Sequence, residues 1–339
     1  CSSDLASLSY FAESLGPEPT SFVASNTGGL DRFVSLSGWP APAAAGVLSH
    51  LLRQGELRGL ESHSLLHPLD GSLQGVVFPQ VSAGAYNFGP FDPQVRSALG
   101  LFPHPDLLGA RARLAAARRT FSRAKAFHDS QEKLYGKHMD WRAADQAAQE
   151  LLRRLLGGRK QEGPGREVHR FFGAALPQGA VDCVPQLTQD LNCRVLLKGR
   201  PGTGKSTLLK KLARAAKEAG FAVELYHCSL DPKSLDLVVV RELSWCALDS
   251  TAPHEYFPER PGDQVLDLYQ RCVEPGTDQA WAGELSHLED AYRSLVKAAR
   301  GFLEEARESL EKFYQSLPQP DPAQLDQAKE ELCAALLPR

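Results

Sequence analysis

The sequence lacks long apolar runs, paired cysteines and a strong net charge. No hydrophobic stretch reaches the roughly 18 residues of a membrane-spanning helix, so no segment is expected to span a membrane. The 38 basic and 41 acidic side chains nearly cancel to a net charge of −3, which argues against nucleic-acid binding through overall charge. The seven cysteines form no C-x-x-C pair, which favours buried, reduced thiols in a cytoplasmic protein.

The chain is long enough for two domains, and it repeats itself. The stretch "GWPAPAAAG" at Gly38–Gly46 has a counterpart in the second half of the chain, "GRPGTGKST" at Gly199–Thr207. This pair is separated by 161 residues (199 − 38), and other pairs recur at separations from 161 to 181 residues. A repeat of this length is too long for a solenoid unit and predicts a duplicated domain. These pairs are "LDRFVSLSG" with "LNCRVLLKG", "GSLQGVVFPQ" with "KSLDLVVVRE", and "DQAAQELLRRLL" with "DQAKEELCAALL".

The repeat predicts three segments along the chain. Residues 1–156 form a degenerate first domain that ends in a helical segment, and residues 169–339 form an active second domain with its own helical segment. Residues 157–168 form a linker, because "GGRKQEGPGRE" combines glycine, proline and charge.

Each copy alternates strands with a helix, which predicts the α/β class: tandem P-loop NTPase-like domains with a mostly parallel sheet flanked by helices. In the second copy, a strand at 194–197 enters the glycine-rich loop, and a helix follows it and stops at Gly220. Further strands are predicted at 222–226, 237–240 and 245–248.

The last third of each copy is predicted to be helical, from about residue 107 to 156 and from 279 to 337. Breaks are expected near Asp140 and at the proline-rich stretch 317–322. The pattern predicts an antiparallel helical hairpin after each domain, which either packs on the sheet or projects from it.

The stretch from Gly199 to Thr207 matches G-x-x-x-x-G-K-[ST] in full, between an apolar strand and a helix. Its glycines let backbone amides curl around an anion, and the helix N-terminus adds partial positive charge. Lys205 is expected to reach the β- and γ-phosphates of ATP, the Ser206 hydroxyl to hold Mg²⁺, and Thr207 to touch the α-phosphate. The predicted nucleotide-binding loop also includes Gly199, Pro201, Gly202, Thr203 and Gly204.

The first copy has alanines at the decisive loop positions. They are Ala43, Ala44 and Ala45, in place of Gly204, Lys205 and Ser206. Two charge-assisted hydrogen bonds from a lysine contribute about 1.5–3 kcal/mol each, so their loss would weaken triphosphate binding about 10²- to 10⁴-fold. The first copy is therefore predicted not to bind ATP.

P-loop enzymes also use an acidic residue at the end of a neighbouring strand. The second copy offers Asp249 after "WCAL" and Glu242 after "LVVVR". In the alignment of the two copies, Asp249 and Glu242 correspond to Asn87 and Gln80, their neutral amides. This change is expected where a metal is no longer bound. We expect Asp249 to contact Mg²⁺, with Glu242 as a second catalytic candidate acting as a base.

Several other polar residues could have either a functional or a structural role. His254 and Arg260, in the loop after Asp249, could contact substrate or the γ-phosphate, but a solvent-exposed or packing position is favoured for the lone histidine. Asp231 and Asp236 lie where kinases often bind an acceptor, although capping and turn roles are favoured. The basic stretch 111–125 could meet nucleic acid or an anionic membrane, but a solvated or internally paired helix face is favoured, so nucleic acid is not an expected partner.

The chain resembles a bacterial family, found mostly in Firmicutes, of duplicated P-loop ATPase-like or nucleotide-kinase-like proteins. The stretches that carry this resemblance are "GRPGTGKSTLLKKLA", "YHCSLDPKSLD", "LDSTAPHEYFPERPGD", "FFGAALPQGAVD" and "RAKAFHDSQEKLY". The resemblance covers nearly the whole chain and implies the fold and ATP binding, but no particular reaction. In that family the first copy usually also has a lysine-bearing loop, so "GWPAPAAAG" departs from it and argues against a two-site mechanism.

The expected function is that of an ATP-binding protein, a Mg²⁺-dependent ATPase or a phosphotransferase acting on a small molecule, with one working site. The absence of an N-K-x-D motif favours ATP over GTP, and the absence of an L-S-G-G-Q motif argues against an ABC-type ATPase. The alternative is an ATP-gated binding module with little turnover. ATP binding favours a cytoplasmic location, although a mature lipoprotein would also begin with cysteine.

Overall fold

A large mixed β-sheet flanked by helices forms the frame of the molecule, which confirms the α/β class. The computed structural model describes residues 7–36, 39–90 and 104–338, and Cys1 and Gly38 lie outside this range. All six cysteines among the described residues carry free thiols. No helix in these ranges combines the length and the apolar character that crossing a membrane requires.

Eleven strands form the main sheet, and β7 and β8 form a separate hairpin. The first half of the chain contains β1 (Ser7–Phe11), β2 (Arg32–Ser35), β3 (Ser62–Leu66), β4 (Leu73–Phe78) and β5 (Ala83–Tyr86). The second half contains β6 (Arg166–Phe171), β7 (Gly173–Leu176), β8 (Gly179–Asp182), β9 (Cys193–Lys198), β10 (Ala222–His227), β11 (Leu235–Val240), β12 (Trp245–Asp249) and β13 (Asp263–Asp267). The sequence predicted β9, β10, β11 and β12 to within one or two residues at each end.

The two halves of the sheet have the same topology. The strand order is β13-β9-β12-β11-β10-β6-β1-β3-β4-β5-β2, so β6-β10-β11-β12-β9 corresponds to β1-β3-β4-β5-β2. Within each half, every strand but one runs in the same direction, and the exceptions are β4 and β11. The halves meet at an antiparallel contact between Phe11 and Phe171. The sequence repeat therefore coincides with a repeat of strand order and direction.

Ten helices cover the sheet and its edges in the described part of the chain. The first half and its helical segment contain α1 (Val23–Thr27), α2 (Ala41–Leu57), α3 (Pro105–Lys137) and α4 (Trp141–Leu156). The second half contains α5 (Val184–Leu187), α6 (Lys205–Glu218), α7 (Leu268–Cys272), α8 (Thr277–Ala280), α9 (Ala282–Ser316) and α10 (Pro322–Leu336). The predicted helix breaks near Asp140 and at 317–322 are both present.

The two longest helices, α3 and α9, pack against each other in an antiparallel pair. Apolar side chains recur every seven residues along the contact, which is the spacing of a coiled-coil seam. On α3, every second residue of the seam is alanine. On α3 the seam residues are Leu107, Ala110, Leu114, Ala117, Phe121 and Ala124. Arg113 pairs with Glu305 at 2.8 Å, so part of the basic stretch 111–125 is an internally paired helix face, as favoured by the sequence.

The shorter terminal helices pack across the two halves. Helix α4, from the first half, supplies Ala147, Ala148 and Leu151 to the core around α6 in the second half. Helix α10, from the second half, supplies Leu332 and Leu336 to the core around α2 in the first half. The predicted hairpins are therefore wrong in their partners, because the apolar faces of these helices match surfaces in the opposite half.

The predicted domain boundaries at residues 156 and 169 stay predictions. Strand β6 begins at Arg166, within the predicted linker, and pairs in register with β10. The linker region therefore ends as part of the sheet.

Candidate functional site

The glycine-rich loop from Gly199 to Gly204 connects the buried strand β9 to helix α6. Gly202 and Gly204 adopt φ angles of 79° and 84°, a left-handed conformation that glycine adopts without strain. A Cβ atom on Gly202 would also stand 2.3 Å from the carbonyl oxygen of Glu132 on α3. Glycine is therefore required at this position both by the turn and by the close approach of α3.

Between Gly202 and Thr207, where the loop leads into the first turn of α6, five backbone amides are unpaired. They belong to Gly202, Gly204, Lys205, Ser206 and Thr207, and none donates a hydrogen bond to a residue in the described part of the chain. By contrast, the Thr203 amide and hydroxyl both donate to the Arg200 carbonyl, which fixes the bend of the loop. Unpaired amides at a helix N-terminus favour an anion such as phosphate.

Lys205 lies at the centre of this loop with its side chain 7 % exposed. Its Nζ atom donates to the carbonyl oxygens of Gly199 at 3.3 Å and Arg200 at 2.9 Å. It also lies 3.6 Å from Oδ2 of Asp249, at the end of β12. Because β12 runs parallel to β9, Asp249 reaches the same edge of the sheet as the loop. The structure therefore brings together Lys205 and Asp249, as the sequence predicted.

Ser206 connects the loop to a third strand. Its hydroxyl oxygen accepts a hydrogen bond from the Leu235 amide at 3.0 Å, at the start of β11. The next residue, Asp236, enters the same polar cluster as Asp249 and Lys205, both of which act electrostatically on its carboxyl group. The site therefore contains two carboxyl groups at the strand ends beside one lysine.

Asp236 was assigned mainly to a capping or turn role by the sequence reasoning, but the structure places it in the site. Burial raises the pKa of its carboxyl group to about 7, and the charge of Asp249 adds to the rise. The same alignment of the two copies that pairs Asp249 with Asn87 pairs Asp236 with Gln74, so the acid-to-amide pattern in the sequence contained this signal. Asp231, in contrast, forms a turn and pairs with Lys125 at 3.2 Å.

Glu242 lies away from the loop and is not part of this site. It is exposed, on the 3₁₀ turn Arg241–Leu243 after β11, and its carboxylate accepts a hydrogen bond from the Ala222 amide at 3.3 Å. Because β11 runs antiparallel to β12, its C-terminal end lies at the opposite edge of the sheet from Asp249. The expected catalytic role of Glu242 is therefore corrected.

His254 and Arg260 hold the long loop after Asp249 in place. The Nδ1 atom of His254 lies 2.7 Å from a carboxylate oxygen of Asp182. The guanidinium of Arg260 donates to the carbonyl oxygens of Thr188 and Gln189, both at 2.9 Å. These contacts give both side chains a structural role, which for His254 is closer to the packing position than to the solvent-exposed one.

Helices α3 and α9 lie over the end of the sheet that carries the glycine-rich loop. His128 of α3 and Tyr292 of α9 pack with ring centroids 5.8 Å apart. Burial lowers the pKa of His128, and the charge of Lys205 lowers it further. Burial also raises the pKa of Tyr292 to about 12, with contributions from Cys228 and Asp236. Both rings therefore lie close to the charged cluster.

The equivalent region of the first half carries no lysine. Ala44, at the position of Lys205, is buried in the apolar core between α2 and α10. Gln74 and Asn87, at the positions of Asp236 and Asp249, are each 5 % exposed, and the Gln74 amide donates to the Asn87 carbonyl and to Glu13. The first half therefore keeps the shape of the cluster without its cation.

Comparison with known proteins adds no relative. No protein-family model, curated protein or solved structure matches the chain. The resemblance to a bacterial family of duplicated P-loop proteins therefore stays a prediction.

Proposed function

We propose that the second half binds ATP with Mg²⁺ and either hydrolyses it or transfers its γ-phosphoryl group to a small molecule. One observation carries this proposal: five unpaired loop amides lie at a helix N-terminus beside Lys205, which lies 3.6 Å from Asp249. Amides and lysine match the charge of a triphosphate, and a carboxylate on the adjacent strand matches a magnesium ion.

The residues present fit Mg²⁺-ATP. The unpaired amides of Gly202 and of residues 204–207, together with the Lys205 ammonium, would hold the phosphates, and Ser206 and Asp249 would hold the metal. Bound Mg²⁺ neutralises charge on the phosphate oxygens. To reach a phosphate, Lys205 exchanges its two loop carbonyls for phosphate oxygens, which offer a stronger charge-assisted bond.

Asp236 supplies a group that can accept a proton near neutral pH. Its pKa of about 7 is suited to a base that takes a proton from an attacking hydroxyl or water. The neighbouring Lys205 side chain is 7 % exposed, and burial of this kind strengthens electrostatic interactions. These features support a reaction at the γ-phosphate.

We further propose that the chain arose by duplication of one P-loop NTPase-like domain, and that the first copy no longer binds triphosphate. The shared strand order of the two halves supports duplication. The buried Ala44 and the amides Gln74 and Asn87 support the loss of binding. The free thiols suit a reducing compartment such as the cytoplasm.

Lys205→Ala tests the proposed site. We expect the substitution to weaken ATP binding about 10²- to 10⁴-fold, because two charge-assisted bonds are lost. ATP affinity and phosphate release would be measured with Mg²⁺, with and without candidate acceptors, which separates a kinase from an ATPase. Lys210→Ala, an exposed lysine on the same helix, is the control and should match the wild type. Equal ATP binding by wild type and Lys205→Ala would refute the proposal.

A second candidate function is an ATP-gated binding module. It is favoured by two contacts of α3: the Glu132 backbone lies against Gly202 in the loop, and Lys125 pairs with Asp231 in the turn between β10 and β11. A loop that adjusts to phosphate would act directly on α3 and, through it, on α9. Tight ATP binding without phosphate release would favour this function over catalysis.

A further inference from the structure

We infer that Trp141, from the first half of the chain, is the platform on which the nucleoside base stacks when phosphates occupy the loop of the second half. This inference rests on the proposed function and assigns to it a specific residue. It also gives the first half a direct role at the site, although its own loop lacks a lysine.

The indole of Trp141 lies beside the phosphate loop. Its ring comes within 3.5 Å of the point where a Cβ atom on Gly204 would stand, and Gly204 carries one of the unpaired amides. Trp141 is nevertheless 49 % exposed, whereas Trp245 is 1 % exposed in the core. A large aromatic ring left exposed beside an anion site offers a surface for an apolar group of the ligand.

The position of Trp141 is fixed by contacts with the second half. The preceding residue, Asp140, caps α4 by accepting from the Ala143 amide at 3.0 Å, and its own amide donates to the Cys272 carbonyl at 2.7 Å. Lys211 on α6 pairs with Asp145 on α4. The start of the helix that carries the ring is therefore fixed before any ligand binds, and its Trp141 ring also lies against Gly136 of α3, which lowers the entropic cost of stacking.

The exposed side of the first turn of α6 indicates the direction in which a bound nucleoside would extend from the phosphates. Thr207, expected at the α-phosphate, is exposed, whereas Leu208 and Leu209 are buried against the sheet. A nucleoside attached to the α-phosphate must therefore leave along the outer surface of α6, which α4 lines. An indole face stacks on any base, so it favours nucleoside triphosphates over inorganic polyphosphate without choosing strongly among bases.

The test compares ATP with inorganic tripolyphosphate, which has the phosphates but no base. Dissociation constants for both, with Mg²⁺, would be measured for wild type, Trp141→Ala and Trp141→Phe. We expect Trp141→Ala to weaken ATP binding about 5- to 100-fold and to leave tripolyphosphate binding unchanged, because stacking contributes only to the base. Trp141→Phe keeps an aromatic face and should bind ATP nearly as well as wild type. Trp39→Ala, at the degenerate loop, is the control and should behave as wild type.

Tryptophan fluorescence gives a readout that does not depend on the folding of the alanine variant. ATP should quench the wild-type signal, tripolyphosphate should not, and Trp141→Phe should lose the ATP-dependent change. Equal weakening of both ligands in Trp141→Ala, no weakening of either, or unchanged quenching in Trp141→Phe would overturn the inference but leave the proposed function intact. A wild type that binds neither ligand would overturn both.

Discussion

At the residue scale, two carboxyl groups in the second half correspond to two amides in the first. Asp236 and Asp249 match Gln74 and Asn87, and all four lie at the equivalent edges of their half-sheets. An amide keeps the size and planarity of a carboxyl group but carries no charge that could balance a metal ion. With Ala44 at the position of the loop lysine, the equivalent positions of the first half carry neither the cation nor the two anions of the cluster, and Ala44 is packed in an apolar core.

Asp236 also makes a specific contribution to the pH dependence of stability. Its pKa in the folded protein, about 7, lies above the ordinary value of 3.8, because burial and Asp249 disfavour its charged form. A raised pKa means that the folded state is favoured fully below pH 4 and loses this advantage as the pH rises through 7. We therefore expect the wild type to lose about 1–3 kcal/mol of unfolding free energy between pH 5 and pH 8 from this group.

Asp236→Asn removes that loss, because an amide does not titrate. Denaturant unfolding at pH 5 and pH 8 measures the difference, and Asp231→Asn on the neighbouring turn is the control, expected to keep the wild-type pH dependence. If Asp236→Asn shows the same drop in stability as the wild type, the carboxyl group ionises without penalty and its assignment as a base near neutral pH is wrong.

At the element scale, the sequence predicted where helices begin and end but not what they contact. The bounds follow from local signals: Asp140 caps α4, Gly157 ends it in a left-handed conformation, and Asp321 with Gln324 forms a capping box on α10. The partners depend on contacts between distant segments. The same limit explains Glu242, because its position at a strand end was correct while the direction of that strand was not available from local pattern.

The α3–α9 pair is held by a seam of apolar side chains, and Phe121 is its largest member on α3. Phe121 is 2 % exposed, so Phe121→Ala should lower the free energy of unfolding by about 3–5 kcal/mol. Leu108→Ala, on the same helix but 53 % exposed, should cost less than about 1 kcal/mol. Urea unfolding followed by circular dichroism would measure both changes in unfolding free energy. Similar values for the two variants would mean that the pair does not pack in solution as described.

At the scale of the whole molecule, the two halves form one structure rather than two adjacent ones. They share a sheet, they exchange the helices α4 and α10, and a buried charge network crosses their boundary. In this network Arg170 lies over the ring of Tyr10 from the first half and pairs with Glu224 from the second at 3.2 Å. The repeat in the sequence predicted equal topology in each half. The packing of α4 and α10 against opposite halves leaves no local pattern in the sequence, so this packing could not be predicted.

Because α4 and α10 each pack against the opposite half, a substitution that destabilises one half should also destabilise the other. Leu336 of α10 is fully buried against α2, so Leu336→Ala should cost about 2–5 kcal/mol. Because α4 and the sheet join the halves, hydrogen-exchange mass spectrometry should show faster exchange in β9 and β12 as well as in α2. Leu57→Ala, on α2 but 70 % exposed, should leave exchange unchanged and serves as the control. Faster exchange confined to residues 7–90 would show that each half unfolds independently.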